Sequence, residues 1–230
     1  MYFQHSPGIR ARHPELAAGA IVADGITKHA AVAESVAAHT AVAADRLSSG
    51  TEADLPEIQA WRRTFSRMGL KPTRYRCAAE SLLRRFRREG ELPAIHPLVD
   101  LCNAVSMAFA IPVAVLDRAA IRGGLEVRHA TGGERYLTLS GQPEHPAEGE
   151  VTFADAAGNA HARRWTNRQS GLSVVRDSTT SVLIVAEAVH AGAAEDVARL
   201  VPTLAGELTA IWGVATKTAL LTADEPRFEF

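Results

Sequence analysis

Asp100, Asn103 and Ser106 recur every third residue in the otherwise apolar run HPLVDLCNAVSMAFAIPVAVLD, residues 96–117. A buried, unpaired polar group costs about 1–3 kcal/mol. Three in one core segment therefore need a role: a catalytic wall, a ligand wall or a structural hydrogen-bond network. At 100° per residue, Leu98, Leu101, Cys102, Val105 and Phe109 share one apolar face. The three polar residues drift along the other side, where carboxylate, amide and hydroxyl groups suit a small polar ligand. Asp100 lies in the first turn and equally suits a helix cap.

Two basic clusters supply the second kind of chemistry. Residues 61–88 hold ten Lys/Arg and one acid, Glu80. Arg62, Arg63, Lys71, Arg74, Arg84, Arg85 and Arg88 are the candidates for phosphate contacts, whose affinity would fall with salt. The same arginines could equally form a solvated helical face. Trp61, Phe65, Tyr75 and Phe86 interleave with them and are assigned to the core. The second cluster is ARRWTNRQS, residues 162–170. A strand over 160–165 would put Arg163 and Trp165 on one side and Arg164 on the other. Asn167, Arg168 and Gln169 would follow in a loop, where guanidinium forks suit carboxylates and phosphates. The alternative ties an arginine to an internal acid such as Asp155 or Glu187.

Several chemistries are excluded. No Gly-x-Ser-x-Gly, Walker or His-Glu-x-x-His pattern occurs. The nine histidines include no i, i+4 pair, so neither a metal nor another cofactor is expected. Cys77 and Cys102 form no Cys-x-x-Cys, which fits a reducing cytoplasm, and Cys102 reads as a structural thiol. Net charge is −1, so charge alone does not announce a nucleic-acid partner. No uncharged run reaches membrane-spanning length, and no signal peptide is read.

These residues need elements to position them. The patterning predicts a strand over 19–26, then helices over 28–48, from an Asp54–Pro56–Glu57 start to Gly69, and over 78–89 stopped by Gly90. Pro97 and Pro112 bracket a helix over 98–110. Short strand-length runs follow, with a hairpin at DAAGNA, and a helix over 192–213 returns. This order predicts an α+β fold: N-terminal helices packed on a mostly antiparallel or mixed sheet, with a C-terminal helix. Nothing divides residues 1–230, which are expected to form a single domain.

The ordered motifs WRRTFSRMGLKPTRYRCAAESLLRR, LPAIHPLVDLCNAVSMAFAIPVAVLD, VRHATGGERY, VTFADAAGNAHARRWTNRQS and TTSVLIVAEA resemble the B3/B4 tRNA-binding domain. That domain occurs in the β subunit of phenylalanyl-tRNA synthetase and in free-standing bacterial and archaeal proteins. The likeness is strongest over 55–190. In the synthetase the domain houses the editing site that hydrolyses mischarged tyrosyl-tRNA. The resemblance implies tRNA or aminoacyl-tRNA as partner, with Asn103 and Glu187 as catalytic candidates. Asp100, Ser106, Ala114, Arg164, Asn167 and Arg168 become substrate-binding candidates. Ala114 stands where the synthetase pattern has its editing-site histidine, while Asp117 is retained. This departure removes a polar group, and with it the ground for assigning the tyrosine-specific reaction. Two functions follow: a stand-alone editing hydrolase, or a non-catalytic binder of tRNA or of an amino-acid-like molecule.

Overall fold

The run SVLIVAEA, Ser181–Ala188, is apolar without alternation because both of its faces are covered. The computed structural model describes residues 1–230. In chain order the strands are β1 (Tyr2–His5), β2 (Ala17–Asp24), β3 (Val113–Asp117), β4 (Leu125–His129), β5 (Arg135–Leu137), β6 (Pro143–Glu144), β7 (Val151–Asp155), β8 (Asn159–Arg163), β9 (Arg168–Gln169), β10 (Ser181–Ala188), β11 (Thr216–Leu221) and β12 (Arg227–Glu229). The helices are α1 (Pro7–Arg12), α2 (Ala33–Leu47), α3 (Pro56–Arg67), α4 (Ala78–Glu89), α5 (Pro97–Phe109) and α6 (Ala193–Trp212).

Two sheets result. The smaller runs β11-β2-β10-β3 and is antiparallel throughout. The larger runs β12-β1-β4-β7-β8-β5-β6, with β9 also paired to β8; its β1–β4 and β5–β8 pairs are parallel and the rest antiparallel. The architecture is α+β with one antiparallel and one mixed sheet.

The period-two alternation of the central strand decides where its residues point. Val182, Ile184 and Ala186 pack with Leu98, Leu101, Cys102 and Val105 of α5 and with Val197, Leu200 and Leu204 of α6. Leu183 and Val185 point the other way. They share a core with Phe3, Val127 and Phe153 of the larger sheet and with Trp61, Phe65 and Leu83 of α3 and α4. Glu187 has the parity of Leu183 and Val185, so it too faces the space between the sheets. Ala114 is the register partner of Val185 and lies beside it.

Gly19 lets α6 settle on β2. A Cβ built there would lie 2.2 Å from Val201 Cγ2 and 3.0 Å from Val197 Cγ1. Gly19→Ala is therefore expected to cost about 1–3 kcal/mol by overpacking. A lower urea midpoint with an unchanged slope is the predicted observation.

Local signals place most of the helices. Pro56 and Pro97 open α3 and α5, where a missing N–H costs nothing. Gly90 closes α4 in the left-handed conformation, φ 81°. Asp54 does not cap α3: it forms a reciprocal cap with Thr51 on a short 3-10 turn, and Leu55 holds the α3 N-cap position. The helix expected from residue 28 begins at Ala33. The strand expected over 160–165 stops at Arg163, because Arg164 and Trp165 both turn left-handed, with φ 49° and 58°. Near the C-terminal end Arg227–Glu229 form β12, paired with β1.

Candidate active site

The left-handed turn after β8 directs the Trp165 side chain inward. Its indole is fully buried, edge-on to Trp61 at 5.1 Å and to His13 at 4.9 Å between ring centroids. From there Trp165 Nε1 donates to Glu187 Oε1 at 2.8 Å. His5 Nε2 reaches the same oxygen at 2.6 Å. Arg10 Nη2 lies 3.4 Å from His5 Nδ1. A guanidinium can only donate, so Nδ1 is assigned as acceptor and Nε2 as the protonated nitrogen that donates to Glu187. Arg10 is itself held by the carbonyls of Leu16 and Leu221. Burial lowers the Arg10 pKa, and the charge of Glu187 opposes that shift. Glu187 is thus buried, with both donors on Oε1, and Oε2 is the oxygen left for a ligand.

Glu187 lines a small cavity of about 70 Å³ between the two sheets. Ala114, Leu116, Phe153, Ala162 and Val185 supply apolar wall, while Asn167, Arg168 and Gln169 supply polar groups. Asn167 Nδ2 donates to Arg76 O at 2.7 Å and Ala78 N donates to Thr166 O at 2.8 Å, so the 71–78 loop and the 164–169 loop are tied together. Gln169 Nε2 donates to Val115 O at 2.6 Å. Arg168 remains largely exposed, 3.5 Å from Glu144 and 5.7 Å from the Tyr136 ring centre. An apolar enclosure with a few convergent polar groups is the usual construction of a small-ligand site.

His161 also borders the cavity, but as a structural residue. Its Nδ1 lies 2.9 Å from Ser173 Oγ and its Nε2 3.2 Å from Asp155 Oδ2. These distances form a Ser–His–Asp chain, yet Ser173 is fully buried and does not line the cavity, so it cannot meet a substrate. Asp155 meanwhile caps the β7–β8 turn through Ala157 N and Asn159 N. Burial pushes its pKa up, but the bonds from His161, Asn159 and Arg122 prevail and hold it well below the usual range.

Four residues expected around the ligand lie elsewhere. Asp100 Oδ1 accepts from Ile95 N at 2.9 Å, a capping contact at the start of α5. Asn103 lines a separate apolar groove between α2 and α5, with Asp100 and Met107. The reason is topological. The apolar stripe of α5 packs on the face of the small sheet opposite to Glu187, so the polar stripe turns towards α2. Ser106 is fully buried and donates to Ile111 O at 2.6 Å, closing the helix end. Arg164 does not line the cavity; its guanidinium lies 4.8 Å from the Tyr75 ring centre. Asn103 and Glu187 do not converge, whereas Ala114, Asn167, Arg168 and Glu187 do. His5, Arg10 and Trp165 carry the carboxylate and were not among the expected site residues. Both cysteines are buried and free, and burial pushes the Cys77 thiol up to about 12 and raises that of Cys102 as well. Neither is a nucleophile.

Residues 60–201 match the family model of the B3/4 domain. The chain belongs to the B3/4 domain family. The chain has relatives among synthetase subunits. One is the phenylalanine–tRNA ligase beta subunit of Geobacter sulfurreducens, 31% identical over 104 residues, which are 45% of this chain and 13% of that one. Another is the same subunit from Symbiobacterium thermophilum, 40% identical over 73 residues, 31% of this chain and 8% of that one. The B3/4 chain thus spans a small part of these relatives. It also resembles an N-terminal fragment of the phenylalanyl-tRNA synthetase beta-subunit from Pyrococcus horikoshii. That likeness has a TM-score of 0.50 and 10% identity, covers 93% of this chain and 49% of the other, and bears on the fold.

The basic face of this B3/4 domain is partly neutralised. Arg62 and Arg76 share Glu80, Arg84 and Arg87 share Glu52, Arg85 pairs with Glu89, and Arg67 pairs with Glu15. Glu52 and Glu80 are buried acids that draw arginines inward. Arg62, Arg84 and Arg85, expected to contact phosphate, are therefore engaged by acids. Arg63, Lys71, Arg74 and Arg88 are exposed and have no salt bridge. Lys71 and Arg74 lie on the loop tied to the cavity mouth. No helix is long and apolar enough to cross a membrane.

Proposed function

We propose that the protein hydrolyses the ester of mischarged aminoacyl-tRNA in the Glu187 cavity. The observation that carries this reading is a buried carboxylate, held at one oxygen by two donors, that lines a mostly apolar cavity together with Asn167 and Arg168. The family's membership of synthetase beta subunits supports tRNA as the partner. The apolar wall holds the amino-acid side chain. Glu187 Oε2 accepts a proton from the attacking water, the new C–O bond forms at the ester carbonyl, and the proton passes to the departing ribose oxygen. Trp165 and His5 keep the carboxylate in place during this transfer. Arg168 meets the terminal phosphates as a charge-assisted donor. Ala114 in place of a polar side chain favours an amino acid without a hydroxyl at that depth.

The test is deacylation of a panel of mischarged tRNAs by the wild type and by Ala114→Leu. The larger side chain fills the cavity and adds buried apolar surface. Enzyme-dependent loss of at least one ester by the wild type, and none by a folded Ala114→Leu, is the expected result. Equal rates for the two proteins would remove the cavity from the reaction.

RNA contact is assigned to Lys71 and Arg74 rather than to Arg84 and Arg85. The double reversal Lys71→Glu, Arg74→Glu is expected to weaken tRNA binding and to reduce the slope of log affinity against log salt by about 2. Arg84→Glu, Arg85→Glu should change that slope less, a difference that filter binding at several salt concentrations measures.

A further inference from the structure

Glu57, His190 and Asp196 come from three separate places: the first turn of α3, the residue pair after β10, and the first turn of α6. One donor atom from each, a ring nitrogen and two carboxylate oxygens, lie within 4.8 Å of one another. Glu57 Oε2 and His190 Nδ1 are buried with no hydrogen-bond partner. Only 9% of the Glu57 side chain and 8% of the His190 side chain are exposed. An orphaned buried carboxylate oxygen on a residue of this cluster calls for a ligand.

The surroundings orient the same three groups. Arg46 Nη2 donates to Glu57 Oε1 at 2.7 Å, and Arg199 donates to Asp196 Oδ1. Each guanidinium takes one oxygen and leaves the other to the cluster. His190 Nε2 lies 2.7 Å from Asp196 Oδ2, so an ion ligated by both would replace the proton shared between them. The two arginines also offset both negative charges, which favours an ion that gains covalent character from imidazole over a hard cation held by charge alone.

We propose that Glu57, His190 and Asp196 form a binding site for a divalent transition-metal ion of the zinc class. One nitrogen and two carboxylate oxygens suit such an ion, with water completing a tetrahedral shell on the exposed side of Asp196. Donors around zinc sit roughly 3.3–3.5 Å apart, so the His190–Asp196 contact of 2.7 Å opens on binding. The ion would fasten α3 to the start of α6 and so anchor the chain three residues beyond Glu187. The site is independent of the ester-hydrolysis reading. Its ligands are scattered over residues 57 to 196, which is why histidine spacing gave no sign of it.

The test uses the full chain, stripped with chelator and titrated with zinc chloride by calorimetry and with cobalt(II) by visible absorption. One equivalent of zinc, the absorption bands of four-coordinate cobalt and a raised melting temperature are expected. His190→Ala should abolish the bands. Asp196→Asn, which keeps the shape and a hydrogen bond to His190, should weaken zinc binding about tenfold or more. Far-ultraviolet dichroism checks that each variant is folded. No saturable binding by the wild type, or unchanged binding by folded His190→Ala, would overturn the proposal.

Discussion

Glu187→Gln is expected to lower the rate of ester hydrolysis by about 10²–10⁴-fold while the protein stays folded, a loss of the size that removal of a general base produces. The expectation rests on which oxygen does what. Oε1 receives the Trp165 indole and His5. The glutamine carbonyl can accept both of those bonds, so the buried frame survives. The other position becomes an amide N–H₂, which donates where the carboxylate accepted and cannot take a proton from water. Binding of uncharged tRNA should be unchanged, because Lys71, Arg74 and Arg168 are untouched. Single-turnover deacylation beside a binding isotherm separates the two effects. A fall in binding with an unchanged chemical rate would move Glu187 from the reaction to recognition.

Trp165→Ala is expected to produce the largest loss of stability, about 3–5 kcal/mol, as for other large-to-small changes at fully buried aromatics. Two contributions add. The indole packs against Trp61 and His13, and its removal leaves a void between α3 and the larger sheet. Its N–H is also one of two donors to a buried carboxylate, and a buried acceptor short of a partner costs about 1–3 kcal/mol. Trp165→Phe isolates the second contribution, since it keeps most of the ring and loses the donor. The backbone sharpens the point. Arg164 and Trp165 are both left-handed without being glycine, a strain of order 1 kcal/mol or more each that persists where surrounding contacts enforce it. Denaturant melts of the two variants give the ordering: alanine worst, phenylalanine intermediate, wild type best. Equal stability for alanine and wild type would show that the turn, and not the indole, organises this region.

The legible part of the fold was the part governed by local physics. The α4 limits follow from an arginine-rich periodic segment ended by Gly90, and the central strand follows from its unbroken apolar run. The β7–β8 hairpin follows from DAAGNA, whose Asp155 caps the turn. What the sequence hid depends on partners far along the chain. His5 meets Glu187 across 182 positions, and nothing in MYFQHSPGIR marks it as a site residue. The Asn103 reading failed for a related reason. Helical periodicity shows that α5 has a polar side but not which layer that side faces, and the small sheet stands between α5 and Glu187. The paired arginines show the same limit, because the buried acids Glu52 and Glu80 that neutralise them are identified by tertiary burial, not by local charge count. Glu187 was recoverable, because strand parity links it to Leu183 and Val185.

The Trp165 indole N–H offers the most direct probe of the central claim, since it touches the carboxylate that the account makes catalytic. The measurement is its nitrogen–proton NMR resonance during titration with non-hydrolysable 3′-aminoacylamino-adenosine. Trp212, whose indole donates to Thr27 O, serves as a reference within the same spectrum. The account predicts a saturable shift of the Trp165 signal, a still Trp212 signal, and loss of the shift in Ala114→Leu. Saturable binding of the analogue that leaves the Trp165 resonance unmoved would contradict it.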